Sequence, residues 1–253
     1  SLPAGPTREQ LQRVTEFASF ANQNLGVSKD VLSTVSQPIQ VHQTLVHGRR
    51  TPLDTYAVVV AVSISLMFIC VLLAAGGIAL EREEHVLARL IRGPPALISR
   101  EGLLLEKLLL AAVCSFVAAF AMLAAVSAFV GLDWGRAAQW LVALAMGSVA
   151  FGALGVAIGV LAREVRAASL LAFLLSLPLA FLALVPAGSV AVGLYDVIRV
   201  LSAIFPFKAA LQALDAAVNG AVPGLGVSLL HLLGLTAAFG VLARVGLRRS
   251  EQA

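Results

Sequence analysis

Lys29, Lys107 and Lys208 are the only lysines in the chain, and none follows the glycine that a phosphate-binding loop places before its lysine. Neither HExxH nor GxSxG occurs, so the spacings that build a zinc hydrolase or a serine nucleophile are absent. His42 and His47 stand five residues apart with no third ligand near, which is poor spacing for a metal on a helix. Cys70 and Cys114 each sit inside an apolar run and form no CxxC pair, so they read as small buried hydrophobes. No catalytic, cofactor-binding or metal-binding residue is assigned, and no cofactor is expected. Two places hold polar groups in apolar sequence. One is His231, with Ser228 one turn before it; the other is an island from Glu81 to Lys107 that carries nearly a third of the charged residues.

The elements that must position these groups follow from composition. The 253 residues are 59% hydrophobic and only 13% charged, whereas about a quarter of a soluble domain is charged. With a mean hydropathy of +0.93, the chain is a membrane protein. Its Leu, Ala and Val come in long runs rather than in the dyad alternation of barrel strands, so the expected class is an all-α polytopic bundle. The net charge of +4 gives no support to nucleic-acid binding. A span needs about 20 apolar residues. Five runs qualify: Ala57 to Leu80, Leu108 to Leu132, Ala137 to Ala162, Ala167 to Tyr195, and Ala216 to Ala243. The fourth contains Pro178 and Pro186, so a kinked helix ending near Pro186 is expected.

Basic residues set the sidedness, because short cytoplasmic connections are rich in Lys and Arg. Arg82, Arg89, Arg92, Arg100, Lys107, Arg163, Arg166, Arg244, Arg248 and Arg249 fall on one side, against Arg136, Arg199 and Lys208 on the other. The C-terminus is therefore expected in the cytoplasm and residues 1–55 outside, although Arg49 and Arg50 count against that placement. Within the outer segment, Leu11, Val14, Phe17, Ala18, Ala21 and Leu25 form one stripe of a short amphipathic helix. An outside segment with no hydrophobic stretch before it suggests that a first span precedes Ser1 in the parent protein. The expected division is an extracytoplasmic segment, 1–55, and a transmembrane domain, 56–249.

The island splits at Gly93 to Pro95, where proline ends any helix. Its first piece, "EREEHVLARLIR", gathers Val86, Leu87, Leu90 and Ile91 on one side, with charges around the rest. A plain connection needs only a handful of residues. This one is long enough for a partner to dock on, and the acidic Glu81, Glu83 and Glu84 count against a helix that merely rests on anionic lipid.

A span ending in "ALERE", an amphipathic stretch, a "GPP" turn and "LLLEKLLLAAV" leading back into the membrane resemble the permease subunits of ABC type-2 exporters. "LSAIFPFKAALQAL", from Leu201 to Leu214, is similar to the turn between that family's last two spans. The resemblance implies that Glu81, Arg82, Glu83, Glu84, Val86, Leu87, Leu90 and Ile91 form a cytoplasmic coupling helix gripped by a separate ABC ATPase subunit. It also implies a second permease subunit, as homo- or heterodimer, and a plasma (inner) membrane of a prokaryote. Hydrolysis of ATP would belong to the ATPase subunit.

Three further groups complete the reading. Ser148, Gly152, Gly155 and Gly159 form a small-residue stripe, a seam for helix packing either within one subunit or between two. Phe205, Pro206 and Phe207, flanked by Arg199 and Lys208, fall in a segment too interrupted to span, so a pair of short helices re-entering from the outer face is expected, a plain outer loop being the other reading. These residues and His231 are candidates for the transport pathway; a hydrogen-bonded structural histidine is the other reading of His231. The competing function is a self-contained secondary transporter driven by protons or ions, a class that generally carries charged groups at mid-bilayer. An intramembrane scaffold is a third.

Overall fold

The structure, a computed structural model, describes residues 12, 13, 15, 16, 19, 53–84, 100–162, 164–185, 192–220 and 222–250. The chain divides into two compact units, Ser1–Arg50 and Thr51–Ala253. In the first unit the described residues are helical, and Ser19 Oγ donates to the Glu16 carbonyl at 2.8 Å. The apolar stripe expected there lies outside the described residues.

In the second unit, the described residues form helices. They are α1 (Leu53–Glu83), α2 (Arg100–Val130), a single 3-10 turn (Trp134–Arg136), α3 (Ala137–Leu161), α4 (Val165–Leu184), α5 (Val192–Ile204), α6 (Pro206–Asn219) and α7 (Val222–Ser250). Five of them, α1, α2, α3, α4 and α7, are long and apolar enough to cross a bilayer. The chain is thus an all-α polytopic membrane bundle.

The helix α3 is its axis, packed against α1, α2, α6 and α7. Of the most apolar stretch of α3, 72% is buried, against 17% for α7. The outer faces carry exposed side chains such as Leu110, Phe129, Phe181 and Leu230, as expected where the neighbouring medium is lipid and apolar surface needs no shelter. Close approach of α3 to α1 rests on the small-residue stripe. A Cβ on Gly155 would lie 2.7 Å from Ala74 Cβ and 2.8 Å from the Val71 carbonyl, and one on Gly159 would lie 2.7 Å from the Ala75 carbonyl. Gly152 faces α2 instead, with the Leu108 carbonyl 3.2 Å from the place of its missing Cβ. Ser148 donates to the Ala145 carbonyl, and its own carbonyl accepts from Cys70 Sγ at 3.1 Å. The seam is thus filled from within the chain.

Several boundaries differ from the apolar runs. The helix α1 continues past Leu80 to Glu83, and α2 begins at Arg100, before its apolar run. Ala216 to Asn219 belong to α6, not to the last span. Gly220 ends α6 in the left-handed conformation, φ 74°, which a residue with a Cβ rarely adopts. A Cβ there would also collide with the Arg136 guanidinium, which donates to the Val218 carbonyl and pairs with Asp133. The fourth span closes at Leu184, with Pro178 inside it.

Candidate functional site

The polar island is anchored at its base by the last turn of α1. Glu81 Oε1 meets Lys107 Nζ of α2 at 2.6 Å, with both side chains about four-fifths buried. Arg82 Nη1 donates to the carbonyls of Val160 and Ala162. These belong to the C-terminus of α3, where the last carbonyls have no helical partner and the helix dipole favours a cation. Glu83 Oε2 accepts from the Val165 amide at 3.2 Å. That amide opens α4, whose own N-cap residue, Glu164, makes no side-chain cap, and an anion suits a helix N-terminus. Three consecutive residues of alternating charge therefore bind α1 to α2, α3 and α4, each charge matched to what it meets. Lys107 also approaches Glu106 at 3.7 Å.

Glu84, exposed, follows this turn, its amide donating to the Leu80 carbonyl at 2.9 Å. Val86, Leu87, Leu90 and Ile91, expected on the docking face, lie outside the described residues. At the same end Gly246 of α7 packs against Val160, a Cβ there coming within 2.9 Å of Val160 Cγ1. The start of α2, the ends of α1, α3 and α7 and the start of α4 thus share one end of the bundle, called here the charged end.

The second polar place is at the bend between α5 and α6. Their axes meet at 84° across Phe205, and Pro206 begins α6 at a position where its missing amide costs no helical bond. Because α4 ends, and α7 starts, at the end opposite the charged one, the pair enters and leaves on the same side: it is re-entrant. Ala210 of α6 lies beside Gly147 of α3. Gly147 is near the centre of the 28-residue span Trp134–Leu161, so α6 reaches about half the depth of the bilayer.

Such a bend strands the last carbonyls of α5 away from water. His231 of α7 supplies one donor: its Nε2 lies 2.8 Å from the Ala203 carbonyl, which can only accept, so that nitrogen carries the proton. The ring of Phe205 stacks on Phe239 with centroids 6.5 Å apart. Pro206 and Phe207 are buried, and most of α6 is buried with them. The four residues expected near a pathway are brought together at one bend.

Arg82, Glu83 and Lys107 in their bonding roles were not readable from sequence, since each partner is distant in the chain. An apolar cleft of about 200 Å³ between α2, α3 and α7, lined by Leu104, Leu105, Leu108, Ala153, Val156, Gly240, Ala243 and Arg244, is smaller than the roughly 300–1,000 Å³ that hold a drug-sized ligand. Among the described residues no group of three or more His, Cys, Asp or Glu side chains could hold a metal ion.

Comparison with individually curated proteins gives no match. Comparison with protein families matches a family described as ABC-2 family transporter protein over residues 9–245. That match takes in all five spans and the re-entrant pair, together with most of the segment before them. The chain belongs to the ABC-2 family of transporter membrane proteins and is a permease component of an ABC transporter.

Proposed function

We propose that this chain is the transmembrane subunit of an ATP-driven exporter, paired with a second permease subunit and moved by a separate ATPase subunit. The charged end faces the cytoplasm, with the C-terminus, in the inner membrane of a prokaryotic cell. The basic residues gathered at that end support this orientation. The ATPase grips the connection that follows α1, with Val86, Leu87, Leu90 and Ile91 as the apolar face laid in its cleft.

The observation that carries the reading is the triad Glu81, Arg82 and Glu83 at the root of that connection, bonded to α2, α3 and α4. A push delivered to the connection reaches four helices at once, which a lipid-resting surface helix would not need. Transport is coupled if the substrate binds the two resulting states differently. The re-entrant bend, with Phe205, Pro206, Phe207 and His231, closes the path on the exit side.

Purifying the protein from its native membrane in mild detergent tests the assembly, and a stoichiometric ATPase subunit is the expected companion. Replacing Leu87, Leu90 and Ile91 together by Ser tests the coupling. ATP turnover is expected to persist while export is lost, and unchanged export would remove the docking role.

A further inference from the structure

Lys208 stands in the first turn of α6, two residues before Ala210 and three after Phe205. Its backbone therefore lies at the depth fixed by two contacts: Ala210 against the middle of α3 at Gly147, and Phe205 against Phe239, well inside α7. From about 15 Å below either surface of a hydrocarbon core roughly 30 Å thick, a lysine stem cannot snorkel its ammonium out to water. The side chain is half-buried, and among the described residues no hydrogen bond or ion pair reaches it. The acidic residues on the re-entrant pair do not offer one. Asp196 is exposed near the start of α5, and Asp215 lies two turns along α6, accepting from Asn219 at 2.8 Å.

Two further features of the bend have the same preference. The helix α6 has no side-chain cap on its N-terminus, so the first amides after Pro206, with the positive end of the helix dipole, are left at mid-membrane. One turn before the bend, Ser202 is 4% exposed, and its Oγ, a donor, has no partner. A cation with no partner among the described residues, an uncapped helix start and an unsatisfied hydroxyl at one bend are costly in an apolar medium.

We propose that the bend between α5 and α6 binds the anionic head, carboxylate or phosphate, of an amphiphilic substrate, with Lys208 as counter-ion and the α6 amides and Ser202 as hydrogen-bond donors. The phenyl ring of Phe205 and the lipid-facing apolar residues of α5, Val197, Val200, Leu201 and Ile204, receive its apolar body. The proposal gives the permease reading a substrate class and rests on that reading for transport, but binding itself needs no ATPase.

The test uses the purified chain in nanodiscs of zwitterionic lipid, with thermal unfolding as readout. Oleate, oleyl alcohol and inorganic phosphate are the probes. Oleate is expected to raise the melting temperature by roughly 2–4 °C at about five times its dissociation constant, and the alcohol to give no such rise. The rise is expected to survive in Lys208→Arg and to vanish in Lys208→Gln. In the absence of ligand, Lys208→Met is expected to melt above the unaltered protein, because an unpaired charge has been removed from an apolar site. A comparable rise with phosphate alone would show that the anion suffices and overturn the amphiphile assignment. Equal rises with oleate and the alcohol, or an undiminished rise in Lys208→Gln, would overturn the site. Loss of the site would leave the ATPase partnership untouched, and failure to recover an ATPase would leave the oleate result standing.

Discussion

At the charged end, three neighbouring side chains of α1 serve three other helices, whereas at the re-entrant bend one histidine serves one carbonyl. The contrast follows from depth. Near the membrane surface, long charged side chains pair with partial solvation, so one turn of helix carries several bonds at once. Halfway across, each stranded polar group needs a dedicated donor or acceptor, and at the bend the buried Ser202 hydroxyl has none. The first region binds four helices together, with Glu81 Oε2 its one orphan among the described residues; the second keeps the unsatisfied Ser202 hydroxyl, which the proposed anion site would use.

Substitutions sharpen this difference, and the largest effect is expected at the Glu81–Lys107 pair. Lys107→Met leaves a largely buried carboxylate without its partner and is expected to cost about 3 kcal/mol, read as a lowered unfolding midpoint in detergent. The double change Glu81→Gln with Lys107→Met is expected to recover most of that loss, since the penalty lies in the unpaired charge. Arg82→Ala, which uncovers the end of α3, is expected to cost about 2 kcal/mol. His231→Ala should cost about 1–2 kcal/mol by orphaning the Ala203 carbonyl, while His231→Gln keeps a donor and loses less. Thermal unfolding of both variants separates a hydrogen-bonding role from a steric one. Glu83→Gln, at an exposed helix start, is expected to cost under about 1 kcal/mol. A Glu83 effect as large as that of Lys107 would erase the contrast in burial on which this order depends.

The spans themselves were legible, because the bilayer demands uninterrupted apolar length and the chain obeys it in five places. Their ends were not. The run of charges from Glu81 to Glu83 looks like the start of a loop, yet the helix continues because other helices accept those charges. Ala216 to Asn219 looked like the start of the last span since they carry no charge; Asn219 followed by Gly220, a helix-stop signal, held the information that α6 ends there. The re-entrant pair was readable from the Phe205–Pro206 interruption. The partner of His231 was not, because Ala203 lies 28 residues away in sequence and a carbonyl leaves no mark there. For the same reason Lys208 reads as an outer-loop cation until the contact of Ala210 with Gly147 fixes its depth.

The most direct measurement places spin labels at Glu84, just beyond the triad, and at Arg166, in the first turn of α4, in the full transporter with its ATPase. If the triad binds the connection to α1, α2, α3 and α4, the distance between the labels stays constant from the nucleotide-free to the ATP-trapped state while export remains active. A separation that changes by several ångströms between those states would show that α1 and α4 move apart, and that Glu81, Arg82 and Glu83 do not carry the push.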